Sequence, residues 1–251
     1  MFDIEKISQY QAPKDALKDK VILITGAGAG IGRNAALECA AHGATVILVG
    51  RTLGHLEAVY DEIEANNYPQ PAIFAMDFAT ASEQDYQALA DAIGSEFESL
   101  DGLLNNAAIL GPRKPLESYP VDQWQKVLQV NVTAPFILTK KLLPLLKKSK
   151  QASIVFTSSG LAQKGKAFWG AYSVSKSATE NLMQVFADEV DGVSNIRVNA
   201  INPGATRTDM RASAFPAEDP ATLKSTDEIM QPYLFLMGDD SKHVNQTLLS
   251  L

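Results

Sequence analysis

The chain contains 251 residues, of which 46% are apolar, and this length is sufficient to bury the core of a single α/β domain. Its net charge of −7 at pH 7 argues against nucleic acid or an anionic membrane surface as a partner, because both bind to positive fields. The single cysteine, Cys39, excludes an internal disulfide, and no run of about 20 apolar residues is available to cross a membrane, so we expect a cytoplasmic protein.

Residues 1–19 are mixed and polar and are interrupted by Pro13, which is typical of an extension on the protein surface. From Lys20 onward, short β-branched runs alternate with longer stretches of helical period, which indicates βαβ units and a parallel sheet. The predicted strands are 21–25, 45–49, 72–76, 102–104, 153–157, 197–201 and 247–249. The predicted helices lie near 31–42, 53–66, 82–97, 121–147, 171–190 and 226–237. This order predicts one Rossmann-type α/β domain over residues 20–251, a doubly wound parallel sheet with helices on both faces.

The loops that follow the strands should hold the chemistry, because ligands of doubly wound sheets bind beyond the carboxyl ends of the strands. After the first strand, segment 25–32 reads Thr-Gly-Ala-Gly-Ala-Gly-Ile-Gly and leads directly into a helix. Glycines there allow the backbone to approach a pyrophosphate, whose charge the amides of the helix N-terminus stabilise. A tight turn without a ligand is the alternative. We predict that a cofactor binds at Gly26, Gly28, Gly30, Ile31 and Gly32, with Gly26, Gly30 and Gly32 in the useful register.

The end of the second strand predicts which dinucleotide binds. An NAD-specific site normally has a carboxylate there for the adenosine ribose, whereas this chain has Arg51 and Thr52. A guanidinium and a hydroxyl suit a 2′-phosphate, so NADP(H) is favoured over NAD(H), and an ordinary exposed arginine is the alternative. Asp77 and Phe78, after the third strand, are candidates for contacts with adenine, with a loop cap and a packing residue as the alternatives.

Tyr172 and Lys176 are four residues apart on a predicted helix, so they share one face of it. A phenol is a poor acid at neutral pH, but a nearby ammonium and an oxidised nicotinamide would lower its pKa. Ser159 stands just beyond the fifth strand, where its hydroxyl can hold a substrate oxygen, and Ser158 is the competing candidate. Together these side chains predict general acid–base catalysis at a carbonyl or an alcohol.

These motifs, in their order and spacing, resemble the short-chain dehydrogenase/reductase family in its shorter-chain branch. The resemblance runs from about residue 20 to Leu251 and rests on the Thr-Gly-x-x-x-Gly-x-Gly turn and the Ser, Tyr-x-x-x-Lys set. It extends to Asn105-Asn106-Ala107-Ala108, to Asn131 and to the Pro-Gly turn of 203–208, although Ala108 replaces the family's usual glycine. Within the family, segments 169–172 and 211–216 are most similar to the bacterial YciK-like oxidoreductases.

The resemblance implies a role for each matched residue. Tyr172 would be the general acid or base, Lys176 would lower its pKa and hold the nicotinamide ribose, and Ser159 would orient the carbonyl. Asn131 would place a water that links Lys176 to solvent, with kinking of its helix as the alternative role. The other cofactor contacts that the resemblance implies are Asn106, Ala107, Pro203, Gly204, Thr206 and Thr208, besides Tyr172 and Lys176 themselves.

Two other classes of protein use the same fold. A nucleotide-binding sensor or scaffold without turnover would need the glycine turn and Arg51 but not the catalytic side chains, and a lyase or epimerase would use the nicotinamide transiently. The complete catalytic set favours an oxidoreductase with a small-molecule carbonyl or alcohol as substrate. Leu110, Trp169, Met210 and Phe215 are expected to form an apolar wall, which indicates a moderately apolar substrate.

The remaining expectations concern metals and assembly. No metal site is predicted, because the three histidines are not spaced as ligands together with acidic residues or the cysteine. They are His42, His55 and His243. The predicted helices near 121–147 and 171–190 are apolar on more than one face, which favours a homodimer or a homotetramer.

Overall fold

Seven short apolar runs form the strands of one parallel sheet in the computed structural model, which describes residue 7 and residues 9–251. The strands are β1 (Val21–Thr25), β2 (Thr45–Gly50), β3 (Ala72–Ala75), β4 (Gly102–Asn105), β5 (Ala152–Thr157), β6 (Ile196–Asn202) and β7 (Leu248–Ser250). Their order across the sheet is β3-β2-β1-β4-β5-β6-β7. The winding reverses between β1 and β4, and doubly wound sheets form their ligand-binding crevice at this switch point.

Helices cover both faces of the sheet. They are α1 (Gly30–Ala41), α2 (Leu53–Ala65), α3 (Glu83–Glu96), α4 (Val121–Leu128), α5 (Ala134–Leu146), α6 (Gly160–Gln163), α7 (Gly170–Val190), α8 (Asp209–Ala214) and α9 (Met230–Met237). Helices α1, α2 and α9 contribute to one buried apolar cluster, and α3, α5 and α7 contribute to the other. The predicted fold is confirmed, although the helix expected near 226–237 begins with a 3₁₀ turn, Asp227–Ile229.

The helix predicted near 121–147 is divided in the structure. A π-helical segment, Gln129–Thr133, joins α4 to α5. Pro135 has no amide hydrogen, so the α-helical hydrogen bond that it would donate to the carbonyl oxygen of Asn131 is missing. That oxygen accepts a hydrogen bond from Thr179 Oγ1 of α7 instead, at 3.2 Å. The break therefore comes from one proline and is stabilised by a side chain of a neighbouring helix.

The described part of residues 1–19 packs against the domain. Leu17 is 0% exposed, and its amide donates a hydrogen bond to the carbonyl oxygen of His42 at 3.0 Å. The Tyr10 ring lies edge-on to Phe235 of α9 with ring centroids 5.1 Å apart, and the Tyr10 hydroxyl donates to Asp240. This segment is therefore joined to the core more closely than the expected surface extension would be.

Away from the carboxyl ends of the strands, the described residues carry little reactive chemistry. Cys39 of α1 is 2% exposed, and burial raises the pKa of its thiol to about 12. In the part of the chain that the structure describes, no three His, Cys, Asp or Glu side chains are grouped as ligands for a metal ion. None of the described helices is both long and apolar enough to cross a membrane.

Candidate active site

A cavity of about 730 Å³ opens at the carboxyl ends of the strands, on either side of the switch point between β1 and β4. The loops that follow the first six strands all contribute to its lining. Of the residues predicted to bind cofactor or to act in catalysis, all but Gly32 and Asn131 line this cavity. The fold therefore brings together residues that are far apart in the chain, as the strand-end rule for doubly wound sheets requires.

The glycine turn after β1 forms one end of the cavity. Gly26 has a φ of 68°, a left-handed conformation that glycine adopts without strain. Gly32 does not line the cavity, but a Cβ atom there would collide with the carbonyl of Gly26, so this glycine allows α1 to pack against the turn. No side chain caps the N-terminus of α1, where Ala29 is the capping residue. The first amides of α1 are thus available to an anion such as a pyrophosphate.

Thr25, the first residue of the glycine-rich motif, fixes the loop after β4. The Oγ1 atom of buried Thr25 accepts hydrogen bonds from the amides of Asn106 and Ala107 at 2.9 and 3.0 Å. The side-chain amide of Asn106 donates to the Thr25 carbonyl at 3.1 Å, and its oxygen accepts from Thr157 Oγ1 at 3.3 Å. Asn106 therefore ties together the ends of β1, β4 and β5, and these bonds hold the floor of the cavity in place.

Lys176 is buried beneath the cavity with 4% of its surface exposed. Its ammonium donates a hydrogen bond to the carbonyl oxygen of Thr157 at 2.7 Å and lies 5.7 Å from the centre of the Tyr172 ring. Burial lowers the pKa of Lys176 to about 8, and the negative charge of Glu180 partly opposes that effect. The fixed ammonium is close enough to the phenol ring to stabilise a negative charge on it.

Burial raises the pKa of Tyr172, and a hydrogen bond to Ser159 lowers it to a smaller extent. The net direction differs from the lowering that the sequence predicts for the complete site, because desolvation disfavours the phenolate. Of the two influences, desolvation is therefore the larger one.

The two candidate serines have different partners. Ser158 is buried, and its hydroxyl donates to the carboxylate of Glu180, which also accepts from Gln163 Nε2. Ser159 accepts a hydrogen bond from the Leu161 amide at 3.3 Å and is hydrogen-bonded to Tyr172. The geometry favours Ser159 for contact with a substrate oxygen. The sequence did not predict Glu180 as a site residue. It lies four residues after Lys176 and eight after Tyr172, so it shares their face of α7.

Asn131 lies in the π-helical segment and is 3% exposed. Its side chain accepts from the Ile109 amide at 2.8 Å and donates to the Ile109 carbonyl at 3.0 Å and to Ser175 Oγ at 3.0 Å. It thus fastens the loop after β4 to α7. These hydrogen bonds go to Ile109 and Ser175, so the water link to Lys176 stays a prediction.

Comparison with known proteins identifies the family. A family model described as short chain dehydrogenase matches residues 20–219. The chain belongs to the short-chain dehydrogenase/reductase family. It is 51% identical over 233 residues to the uncharacterized oxidoreductase YciK of Escherichia coli K12, a match that covers 93% of this chain and 92% of that protein.

Solved structures of short-chain dehydrogenases agree closely with this fold. A short chain dehydrogenase from Pseudomonas syringae superposes with a TM-score of 0.95 at 52% identity, covering 100% of this chain and 99% of that one. Another, from Escherichia coli CFT073 and complexed with NADPH, has a TM-score of 0.92 at 50% identity, covering 95% of this chain and 98% of that one. The similarity to YciK-like oxidoreductases expected from the sequence is thus confirmed.

Asp77 and Phe78, the predicted adenine contacts of this short-chain dehydrogenase, have partners within the protein. Asp77 accepts a hydrogen bond from the Ala79 amide at 3.0 Å, as a loop cap does. Phe78 is buried and its ring stacks on that of Tyr86 with centroids 6.0 Å apart. Both residues also line the cavity. The alternatives of a loop cap and a packing residue therefore describe these contacts, and adenine binding stays a prediction.

The opposite end of the cavity is aromatic. Trp169 is 6% exposed, with its ring centroid 6.0 Å from that of Tyr172 and 5.4 Å from that of Phe215. Leu110 and Met210 complete the apolar wall that the sequence predicts, and all four wall residues line the cavity. In this short-chain dehydrogenase the apolar wall thus begins beside the Tyr172 ring.

Proposed function

We propose that this short-chain dehydrogenase/reductase is an NADP(H)-dependent oxidoreductase that interconverts a carbonyl and an alcohol, with Tyr172 as general acid or base. The observation that carries the proposal is the meeting of Ser159, Tyr172 and Lys176 in one cavity. A binding protein without turnover would have no chemical need for this combination. The reaction class also agrees with the oxidoreductases to which the chain is similar.

The residues at the other end of the cavity fit a dinucleotide. The uncapped N-terminus of α1 offers amides to the pyrophosphate, and Gly26 allows the backbone to approach it. Arg51 is exposed at the cavity wall, and no ion pair with a carboxylate engages it within the described residues, so it is free to bind a 2′-phosphate. When bound, the nicotinamide supplies or takes up the hydride, and its oxidised form adds the positive charge that favours the Tyr172 phenolate.

In the direction of carbonyl reduction, Ser159 donates a hydrogen bond to the carbonyl oxygen and orients it. The Tyr172 hydroxyl donates its proton to that oxygen as negative charge develops there. Lys176, fixed by the Thr157 carbonyl, stabilises the phenolate that remains. In the oxidation of an alcohol the same phenolate removes the proton. Ser159 and Tyr172 thus act at the substrate oxygen, and Lys176 acts on Tyr172.

Calorimetric titration with NADPH and NADH tests the cofactor assignment. We expect wild-type protein to bind NADPH more tightly than NADH, and Arg51→Ala to weaken NADPH binding by about tenfold to a hundredfold, the range for hydrogen bonds to a charged group. NADH binding should hardly change, because NADH has no 2′-phosphate. Lys147→Ala, which removes an exposed cation just after α5, is the matched control and should leave both affinities unchanged.

A carbonyl screen with NADPH tests the chemistry. We expect Tyr172→Phe to bind NADPH like wild type but to lose turnover by a factor of about a thousand or more, because the proton donor is missing. An unchanged rate in Tyr172→Phe would contradict the proposed mechanism. Tight NADPH binding with no oxidation of the nucleotide by any carbonyl would instead favour the sensor or scaffold.

A further inference from the structure

The four-residue helix α6, which directly follows Ser159, is held in place by side chains of α7. A single helical turn is not stable alone, because it closes too few hydrogen bonds to offset the entropy of ordering it. Ser173 Oγ donates to the Leu161 carbonyl and Ser177 Oγ donates to the Ala162 carbonyl, both at 2.7 Å. The two serines are four residues apart, so one face of α7 fixes two successive carbonyls of α6.

The contact with Leu161 continues to Ser159. Ser159 is the N-cap of α6, and its Oγ accepts a hydrogen bond from the Leu161 amide at 3.3 Å. Ser159 is also hydrogen-bonded to Tyr172, which directly precedes Ser173 in the chain. Leu161 is therefore bonded to Ser159 through its amide and, through its carbonyl, to the residue that follows Tyr172.

The direction of these bonds affects the Ser159 proton. A serine hydroxyl has one proton to donate and two lone pairs that accept. Because Oγ accepts from the Leu161 amide, one lone pair is occupied and the proton is available on the side of the cavity, which Ser159 and Tyr172 both line. Hydrogen bonds in a chain polarise one another, so a hydroxyl that accepts one bond donates more strongly in the next. The Leu161 amide thus favours donation by Ser159 to an oxygen in the cavity.

Ser177 provides a comparison within the same helix. Its exposed hydroxyl is shared between the Ala162 carbonyl and the carbonyl of Ser173, the latter at 3.2 Å. The Ala162 amide donates to the backbone carbonyl of Ser159 at 2.9 Å and not to its hydroxyl. Ser173, in contrast, is 7% exposed and directs its hydroxyl to Leu161. Loss of the Ser177 hydroxyl would therefore leave the bond to Ser159 Oγ in place.

We infer that Ser173 is a positioning residue of the reaction, because by holding Leu161 it keeps the Ser159 hydroxyl directed toward the reacting oxygen. This inference rests on the proposed function, since it requires a substrate oxygen beside Ser159 and Tyr172. Ser173 does not itself line the cavity, so it acts through Leu161 and not on the substrate. Its effect on the rate must then disappear when Ser159 has no hydroxyl.

A double-mutant cycle tests this dependence, with NADPH and the carbonyl compound that wild type reduces fastest. We expect Ser159→Ala to lower kcat/KM about a hundredfold, as loss of one donor to a developing oxyanion does, and Ser173→Ala to lower it about tenfold. The variant with both substitutions should match Ser159→Ala to within about twofold, because the two serines act as one unit. A loss of about a thousandfold in that variant would mean independent effects and would overturn the inference.

Two further variants distinguish positioning from a general structural defect. Ser177→Ala is the matched control, since it removes an equivalent bond one turn along α7, and its kcat/KM should stay within about twofold of wild type. Ser173→Thr retains the hydroxyl and should recover most of the activity lost in Ser173→Ala. NADPH affinity, measured by calorimetry, should be the same in all these proteins. Equal losses of kcat/KM in Ser173→Ala and Ser177→Ala would contradict the inferred role.

Hydrogen exchange at the Leu161 amide separates this inference from the proposed function, because it requires no turnover. In NMR spectra of protein labelled at its leucine amides, we expect Ser173→Ala to exchange this proton about tenfold faster and Ser177→Ala to exchange it at the wild-type rate. Unchanged exchange in Ser173→Ala would overturn the inference even if carbonyls are reduced. If exchange accelerates but wild type reduces no carbonyl, the proposed reaction fails and the link from Ser173 to Ser159 stands.

Discussion

Glu180 links the loop that carries Ser158 and Ser159 to Lys176. Its carboxylate accepts hydrogen bonds from Ser158 and Gln163, so it holds the loop that carries Ser159. Its charge also raises the pKa of Lys176 against the effect of burial. One buried acid therefore acts both on the position of the serine and on the charge of the lysine.

We predict that Glu180→Gln shifts the pH profile of carbonyl reduction. The substitution removes the negative charge that supports the Lys176 ammonium, so the pKa of Lys176 falls further below about 8. Because the ammonium is lost as pH rises through that pKa, the alkaline limb of kcat/KM should move down by about one pH unit. The pH dependence of kcat/KM checks this.

Glu189→Gln serves as the control for that measurement, since it removes an exposed carboxylate from the same helix. Its alkaline limb should coincide with that of wild type. A purely structural role for Glu180 would lower kcat/KM at every pH and leave the limb where it is. That result would contradict the electrostatic role.

At the scale of elements, the π-helical segment is the feature on which the loop after β4 depends. Pro135 frees the Asn131 carbonyl, and the one hydroxyl proton of Thr179 is shared between that carbonyl at 3.2 Å and the Ser175 carbonyl at 2.9 Å. The side chain of Asn131 then reaches the Ile109 backbone. A single break in helical hydrogen bonding thus couples α5, α7 and the cavity wall.

We predict that Thr179→Val lowers the free energy of unfolding by about 1–3 kcal/mol, because it removes the hydroxyl that donates to the buried Asn131 carbonyl while preserving side-chain volume. Urea denaturation monitored by circular dichroism measures this. Ser177→Ala removes an exposed hydroxyl from the same helix, and its effect should stay below about 0.5 kcal/mol. Equal losses in the two variants would show that the Asn131 carbonyl finds another donor.

The sequence predicts the elements well where one local pattern determines them. All seven strands were located to within one residue at each end, because each is a short apolar run bounded by polar or turn residues. The division at Pro135 was not predicted, since an apolar period continues through it while the hydrogen bonding changes. Periodicity reports which face is buried and carries no information on which carbonyl lacks its donor.

The residues of the candidate site could likewise be predicted only where a local sequence motif contains them. Gly26 and Tyr172 belong to linear motifs with a known chemical use, so the sequence alone selects them. Glu180 acts through Ser158, which lies 22 residues earlier in the chain on a different element. Such a contact depends on tertiary packing, so no linear motif predicts it.

At the scale of the whole molecule, α5 and α7 leave an apolar stripe uncovered. On α7 the residues Val174, Ala178, Leu182 and Val185 follow helical spacing, and Val174 and Val185 are 47% and 46% exposed. Phe136 of α5 is 42% exposed and its ring packs toward α7. This stripe is the surface through which we expect a homodimer or homotetramer to form.

We predict that light scattering after gel filtration gives wild-type protein at least twice the mass of one chain, and that Val185→Glu shifts it toward the monomer. A buried unpaired charge opposes association, whereas an exposed one does not. Val193→Glu, at a position that is 75% exposed beyond the end of α7, should retain the wild-type mass. A monomeric wild type would contradict the expected assembly.

The position of Cys39 makes its thiol a reporter of the movement of α1. The only thiol lies near the C-terminal end of α1, the helix that follows the glycine turn, and its burial and its pKa of about 12 protect it from reagents while that helix stays docked. The rate at which a thiol reagent labels Cys39 therefore reports how often α1 opens away from the sheet. A ligand that binds only the closed form lowers the rate of Cys39 labelling as more of the protein becomes bound. Labelling rates at several ligand concentrations would therefore give the affinity of a cofactor without an introduced probe.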